Sequence, residues 1–98
     1  MNNRVFLGLG SNIGDRYENL QSSIQKISSF KYFHLIQESP IYETPPLYNI
    51  NQPPFLNLVI EINTELSPIQ ILDFIKNIEK NMGRDIENVV LMRAIKWH

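Results

Sequence analysis

The sequence predicts an α+β fold in which two helices pack on one face of an antiparallel sheet. Two apolar runs, over residues 5–10 and 55–64, are bounded by turn-forming residues, which is typical of strands. Two other stretches carry apolar residues at three- and four-residue spacing, which is typical of helices. The 98 residues suffice for one domain with a single core, so we treat 1–98 as one unit.

The first half of the chain contains a strand, a helix and a second strand. The first apolar run ends in Gly-Ser-Asn, which predicts a turn, and a helix follows over about residues 15–30 with Asp15 or Asn12 as its cap. Residues 34–43 indicate a strand in which Pro40 predicts an edge position or a bulge. The apolar face of the helix is predicted to comprise Tyr17, Leu20, Ile24, Ile27 and Phe30.

The second half contains the clearest strand and a second helix. Four of the six prolines lie in residues 44–54, which predicts a stiff loop. The run 55–64 then alternates along most of its length, as a half-buried strand does. Ser67 and Pro68 predict the start of a helix, and Gly83 predicts its end. The apolar face of this helix is predicted to comprise Ile71, Leu72, Ile75, Ile78 and Met82.

Residues 84–98 indicate a further strand that begins but is not completed. The element order therefore matches a ferredoxin-like β-α-β-β-α-β sandwich that is truncated or altered at the last strand, and the single domain is expected to be incomplete at its C-terminus. An inner strand edge would then stay unpaired, so we expect a marginal fold that associates through that edge.

Composition and charge exclude several classes of function. Nine Lys and Arg residues face ten Asp and Glu residues, and no basic stripe is present, so nucleic acid is not expected as a main partner. No apolar run approaches the ~18 residues of a membrane-spanning helix, and the first residues lack a signal-peptide pattern, so no membrane partner is expected. The absence of cysteine excludes disulfides and thiolate metal sites, and we expect a cytoplasmic protein.

The turn Gly8–Asp15 is the first candidate site, because three of its residues are glycine. Glycines between a strand and a helix can bring backbone N–H groups close to an anion. Their spacing is neither that of a P-loop nor that of a dinucleotide-binding fingerprint. The spacing alone favours a simpler interpretation, a tight turn that needs a positive φ and a helix cap.

The proline-rich loop and the strand after it are the second candidate. Phe55 offers an aromatic face on which a flat heterocycle can stack, and Asn57 offers both a donor and an acceptor. Thr44 and Leu47 offer main-chain groups that prolines hold rigid. The alternative is that Phe55 begins a core strand and Asn57 lies at the surface, and the residues alone favour that alternative.

The third candidate lies near the end of the second helix, at Glu79 and Arg84. Arg84 can hold a phosphate or, equally, cap the last carbonyls of the helix. His34 and His98 lack partners at metal-ligand spacing, so we interpret both as structural or exposed. No Ser-His-Asp or Cys-His arrangement is present, and no catalytic residue is assigned.

Taken together, these motifs resemble the 6-hydroxymethyl-7,8-dihydropterin pyrophosphokinase family of folate biosynthesis. Five segments match it in order and spacing, namely Leu7–Arg16, Ser39–Pro46, Gln52–Asn57, Leu66–Pro68 and Ile78–Arg84. The resemblance implies a ferredoxin-like α+β fold and a monomer that transfers pyrophosphate from ATP to the hydroxymethyl group of the pterin, with Mg²⁺ as cofactor.

The resemblance also implies roles for individual residues. Gly10, Ser11 and Asn12 match a signature turn that supports the pterin pocket. Glu79, Arg84 and Arg93 match positions near ATP. The residues that match pterin-binding positions are Thr44, Pro45, Pro46, Leu47, Phe55 and Asn57.

The tail departs from the family pattern, in which two aspartates hold the magnesium ions. The best register places Arg93 on an arginine of that pattern, Ala94 on a threonine, and Lys96 and His98 on the two aspartates. A protonated lysine cannot coordinate Mg²⁺, so no metal ligand is assigned. Two functions follow from this pattern: a pyrophosphokinase, or a catalytically inactive pterin-binding or structural remnant of that family.

Overall fold

The computed structural model of the chain describes residues 3–45, 53–82 and 91–97. These ranges form one antiparallel sheet and two helices, which confirms the predicted α+β class. The strands follow the order β2–β4–β1–β5, and β3 also pairs with β4. The elements are β1 (Asn3–Ser11), α1 (Arg16–Ser29), β2 (Phe33–Glu38), β3 (Tyr42–Thr44), β4 (Phe55–Thr64), α2 (Pro68–Met82) and β5 (Leu91–Trp97).

The core lies between the helices and one face of the central strand pair. Strands β1 and β4 pair over their whole length, from Asn3 opposite Thr64 to Ser11 opposite Leu56. Because side chains alternate along a strand, every second residue of each strand meets the helices. The core residues are Val5, Leu7 and Leu9 of β1, Leu58, Ile60 and Ile62 of β4, Leu20, Ile24 and Ile27 of α1, and Ile71, Ile75 and Ile78 of α2, together with Phe33.

Aromatic rings close one side of this core. Phe30, just after α1, stacks on Phe74 of α2 with ring centroids 4.0 Å apart. Phe33 of β2 meets both rings edge to face, at 4.9 Å from Phe30 and 4.8 Å from Phe74. Edge-to-face and offset aromatic pairs add about 0.5–1.5 kcal/mol each to the burial of the rings. The cluster therefore ties both helices to β2.

Both helices begin at the predicted caps. Asp15 Oδ1 accepts a hydrogen bond from the backbone N–H of Glu18 at 3.1 Å. Ser67 Oγ accepts from the N–H of Gln70 at 3.3 Å, and Gln70 Oε1 accepts from the N–H of Ser67 at 2.8 Å, which is a capping box. The predicted end of α2 at Gly83 lies outside the described residues.

The predicted interruption at Pro40 divides the second strand into β2 and β3. Both pieces pair with the same edge of β4. Between them, the Ser39 N–H donates to the Val59 carbonyl at 2.8 Å, and Ser39 Oγ accepts from the Val59 N–H at 2.8 Å. The hydroxyl thus takes the place of a main-chain carbonyl, and the hydrogen bonding of β4 continues past the break.

Two residues predicted for the helix cores are exposed. Tyr17 is 57% exposed and Leu72 is 47% exposed. At about 100° per residue, Tyr17 lies ~60° around α1 from Leu20, and Leu72 lies ~100° around α2 from Ile71. Both are therefore at the margins of the apolar stripes, beyond the contact with the sheet.

The expectation that an incomplete last strand leaves an inner edge unpaired is wrong for the described ranges. Strand β5 pairs with β1 from Val5 opposite Trp97 to Gly10 opposite Leu91, with one extra β5 residue, Ile95, between Phe6 and Leu7. Main-chain pairing needs extended backbone rather than particular side chains, so the departures in this tail do not prevent the strand from forming. Within the described ranges, neither helix is long and apolar enough to cross a membrane.

Candidate functional site

Three of the residues predicted to bind a pterin meet at one end of the sheet. Thr44 of β3 lies opposite Phe55 of β4. Asn57 lies opposite Tyr42 on one side and opposite Gly10 on the other. Phe55 and Asn57 are both half-buried, so neither is a core residue and neither stands free at the surface. The pairing of β3 and β1 on β4 therefore places Thr44, Phe55 and Asn57 together.

The side chain of Asn57 is fixed by contacts with its neighbours. Its Nδ2 donates to Thr44 Oγ1 at 2.8 Å, and lies 3.3 Å from the carbonyl of Phe55 and 3.5 Å from that of Tyr42. Three acceptors thus gather around one nitrogen, and this turns Oδ1 toward β1. An amide held in this way presents its oxygen in one orientation.

Gly10 makes room for this amide. A Cβ atom at Gly10 would lie 2.8 Å from Asn57 Oδ1 and 3.4 Å from Cδ1 of Phe55. The first distance is shorter than real Cβ contacts allow, so any other residue would displace Asn57. The requirement for glycine at this strand position is therefore close approach rather than a positive φ.

The segment between β1 and α1 forms the tight turn with a positive φ that the glycine spacing in the sequence favours. Gly14 has a φ of 68°, which is the left-handed region that glycine adopts without strain. Asn19, buried in α1, donates through Nδ2 to Ser11 Oγ at 3.1 Å and to the Ile13 carbonyl at 2.9 Å. The Asp15 carboxylate already occupies the start of α1, so these observations favour a structural turn over an anion site.

Asn12, in this turn, and Arg16, at the start of α1, form hydrogen bonds with the proline-rich segment. Arg16 Nη1 donates to Glu43 Oε2 at 2.8 Å and to the Pro54 carbonyl at 2.9 Å. Asn12 Nδ2 donates to the Pro53 carbonyl at 3.4 Å. The sequence pattern placed Asn12 in a supporting turn but gave no role to Arg16 or Glu43. Their contacts span 27 and 38 residues of sequence, and no local periodicity reports contacts at that distance.

The other predicted site residues are placed less fully. Pro45 follows β3 directly and is exposed, whereas Pro46, Leu47 and Arg84 lie outside the described residues. Glu79 lies within α2, and Arg93 lies on β5 opposite Gly8. These backbone positions do not test the predicted ATP contacts, which stay predictions.

The described side chains include no large cluster of metal-binding groups. Among them, no three or more carboxylate or imidazole groups come together in a way that could hold a metal ion. Glu61 is buried but occupied, since Arg4 Nε contacts its Oε2 at 2.7 Å and Gln37 Nε2 donates to its Oε1 at 2.7 Å. Lys96 lies on β5 opposite Phe6, and His98 lies outside the described residues.

Comparison of the sequence with known proteins shows which protein family it resembles. The family model for 7,8-dihydro-6-hydroxymethylpterin-pyrophosphokinase matches residues 6–96. A Bacillus subtilis protein named 2-amino-4-hydroxy-6-hydroxymethyldihydropteridine pyrophosphokinase is 38% identical over 97 residues, which are 99% of this chain and 54% of that protein. The protein of that name in Haemophilus influenzae is 38% identical over 80 residues, which are 82% of this chain and 50% of that protein.

A eukaryotic relative shows the same similarity within a longer polypeptide. The folic acid synthesis protein fol1 of Schizosaccharomyces pombe is 41% identical over 83 residues, which are 85% of this chain and 11% of that protein. The chain thus spans about half the length of the two bacterial relatives and about a tenth of the yeast one. With the family model matching nearly its whole length, the chain belongs to the 7,8-dihydro-6-hydroxymethylpterin-pyrophosphokinase family.

Proposed function

We propose that this chain binds 6-hydroxymethyl-7,8-dihydropterin at the end of the sheet and serves the transfer of pyrophosphate from ATP to it. The observation that carries the proposal is the fixed side-chain amide of Asn57. Its nitrogen donates to Thr44 Oγ1, and its oxygen fits beside Gly10, which has no side chain. The names of the bacterial relatives support the same reaction.

The chemistry of a pterin fits the groups at this end of the sheet. The edge of a pterin alternates hydrogen-bond donors and acceptors, so an amide of fixed orientation can read it. The half-buried ring of Phe55 offers a face for stacking beside that amide. Thr44, the last residue of β3, pairs with Phe55 across the sheet, and Pro45 follows it, so the main-chain groups of these two residues lie at the same end of the sheet.

The transfer step itself requires ATP and a metal. The hydroxymethyl oxygen releases its proton to water and forms a bond to the β-phosphorus of ATP, while the bond from that phosphorus to the α–β bridging oxygen breaks, and AMP leaves with that oxygen. We propose that Glu79, Arg84 and Arg93 contact ATP, and that Mg²⁺ neutralises its phosphates when bound. The pterin-binding part of the proposal rests on Thr44, Phe55 and Asn57.

The finer class of the fold belongs to the same proposal. The strand order β2–β4–β1–β5, with α1 after β1 and α2 after β4, supports a ferredoxin-like arrangement to which β3 is added. We propose further that the protein acts as a monomer in the cytoplasm.

Titration with 6-hydroxymethylpterin tests the pocket. We expect Phe55→Leu to weaken binding about two- to tenfold, because stacking adds ~0.5–1.5 kcal/mol beyond burial. Tyr32→Leu is the control, since Tyr32 is an exposed ring near the start of β2, at the other end of the sheet. Equal affinities for the wild type and Phe55→Leu, or no binding by the wild type, would contradict the proposal.

The alternative is a chain that binds pterin without transferring pyrophosphate, and Lys96 favours it. The family pattern has a carboxylate at the position that Lys96 matches, and an ammonium group cannot bind Mg²⁺. Release of AMP in the presence of ATP, pterin and Mg²⁺ separates the two functions. Pterin-dependent AMP release supports the transferase, whereas binding without AMP release supports the alternative.

A further inference from the structure

Arg16 joins the two segments that carry the candidate pterin residues. It is the first residue of α1, and its Nη1 contacts both the carboxylate of Glu43 and the carbonyl of Pro54. Glu43 directly precedes Thr44, and Pro54 directly precedes Phe55. One guanidinium nitrogen therefore donates hydrogen bonds to the residues that directly precede Thr44 on β3 and Phe55 on β4.

Among the residues that the structure describes, few other contacts hold strand β3 in place. It is three residues long, and the three pairs that it makes with β4 are at Tyr42, Glu43 and Thr44. Pairs of strands this short are weak in water without further support. The position of Thr44 matters because its Oγ1 accepts the 2.8 Å hydrogen bond that orients Asn57. A shift of β3 would therefore release the amide.

The ion pair itself contributes little to stability. The side chains of Arg16 and Glu43 are 29% and 53% exposed, and water screens the attraction between charges that are this open to solvent. The contact with the Pro54 carbonyl adds a second acceptor from a separate segment. The planar guanidinium suits this arrangement, because its N–H groups point in fixed directions.

We propose that Arg16 is a positioning residue for the pterin, which holds β3 and the start of β4 in register with each other so that Thr44 keeps Asn57 in its binding orientation. The role rests on the proposed function, because it concerns the same pocket. It assigns Arg16 no contact with the pterin.

The test compares Arg16→Ala and Arg16→Lys with Arg4→Ala. Arg4 is the matched control: it lies on β1 at the opposite end of the sheet and makes a comparable 2.7 Å ion pair with Glu61. Amide hydrogen exchange is measured at residues 42–44 and 55–57, because the flanking prolines have no backbone N–H. Melting temperature and 6-hydroxymethylpterin affinity are measured for each variant.

We expect faster exchange in both segments of Arg16→Ala, and an affinity lower by roughly five- to tenfold, since the variant loses both hydrogen bonds of the partly exposed guanidinium. Arg16→Lys should recover part of the affinity. The melting temperature should change little. Arg4→Ala should leave exchange in these segments and pterin affinity unchanged.

Each contrary result has a distinct meaning. Unchanged exchange in Arg16→Ala overturns the positioning role, whether or not the wild type binds pterin. A large drop in melting temperature with unaltered affinity assigns Arg16 to stability instead, and overturns it too. Failure of the wild type to bind overturns the proposed function, and with it the pterin part of this role, while exchange still decides whether Arg16 holds the two segments.

Discussion

The two faces of the central strand pair differ in what they contain. On the face that the helices cover, β1 and β4 contribute six aliphatic side chains, none more than 2% exposed. On the opposite face the same strands carry charged, amide and glycine positions, including Arg4, Gly10, Asn57 and Glu61. One face therefore excludes water, while the other holds polar side chains in fixed positions and, at Gly10, leaves room for the Asn57 amide. Adjacent residues of one strand thus belong separately to the core and to the face that carries the candidate site.

The largest effect is expected on the covered face. Leu7→Ala should lower the free energy of unfolding by about 2–5 kcal/mol, because Leu7 is fully buried and its removal leaves a cavity. Denaturant unfolding measures this loss. Val59→Ala, on the opposite face of β4 and half-buried, is the control and should cost clearly less. Equal costs for the two variants would remove the distinction between the faces.

A smaller effect is expected at the glycine of the opposite face. Gly10→Ala should cost about 1–3 kcal/mol, since its Cβ would lie 2.8 Å from Asn57 Oδ1 and crowd the amide. In an Asn57→Ala background the atom that clashes is gone, so the same substitution should cost less than half as much. A double-mutant cycle by denaturant unfolding measures this coupling. Additive costs would show that Gly10 is required for another reason.

The smallest effect is expected at the break between β2 and β3. Ser39→Ala removes the hydroxyl that accepts from the Val59 N–H, and should cost about 1 kcal/mol. Ser28→Ala is the control, because the exposed Ser28 hydroxyl donates to the Gln25 carbonyl in the preceding turn of its own helix. Thermal unfolding of both variants makes the comparison. A cost at Ser39 no larger than at Ser28 would mean that the hydroxyl does not sustain the edge of β4.

The covered face was the more predictable one from sequence. Alternation along β4 and helical spacing in α1 and α2 identified most of the core, because burial imposes a period on the residues. Tyr17 and Leu72 were wrongly assigned to the core because helical spacing does not define how wide the buried face is. The spacing shows that a residue lies near the apolar face of its helix, but not whether the sheet covers it. The final strand was underestimated because main-chain pairing leaves a weaker pattern than burial does.

The candidate site was only partly predictable. Phe55 and Asn57 were identified by their chemistry and by resemblance, and the structure places them beside Thr44. The roles of Gly10, Arg16 and Glu43 depend on contacts between strands and on a turn far away in sequence. A glycine-rich turn indicates that the backbone there has an unusual conformation or a close neighbour. The sequence does not show which residue is that neighbour, because the contact forms between strands that are far apart in the chain.

The pairing of β1 has a consequence for the time course of synthesis. Its two neighbours, β4 and β5, both come later in the chain, and its partners on β4 follow after 45 residues for Ser11 and 61 residues for Asn3. At ~5–20 residues per second, a ribosome needs roughly 2–12 seconds to supply them. During that interval Val5, Leu7 and Leu9 have no strand beside them, and α1 is the first element made that can shelter them. The first strand to be synthesised is thus the one that waits longest for its partners, and the candidate site stays incomplete during that interval, because Asn57 comes later in the chain than Gly10 and Thr44.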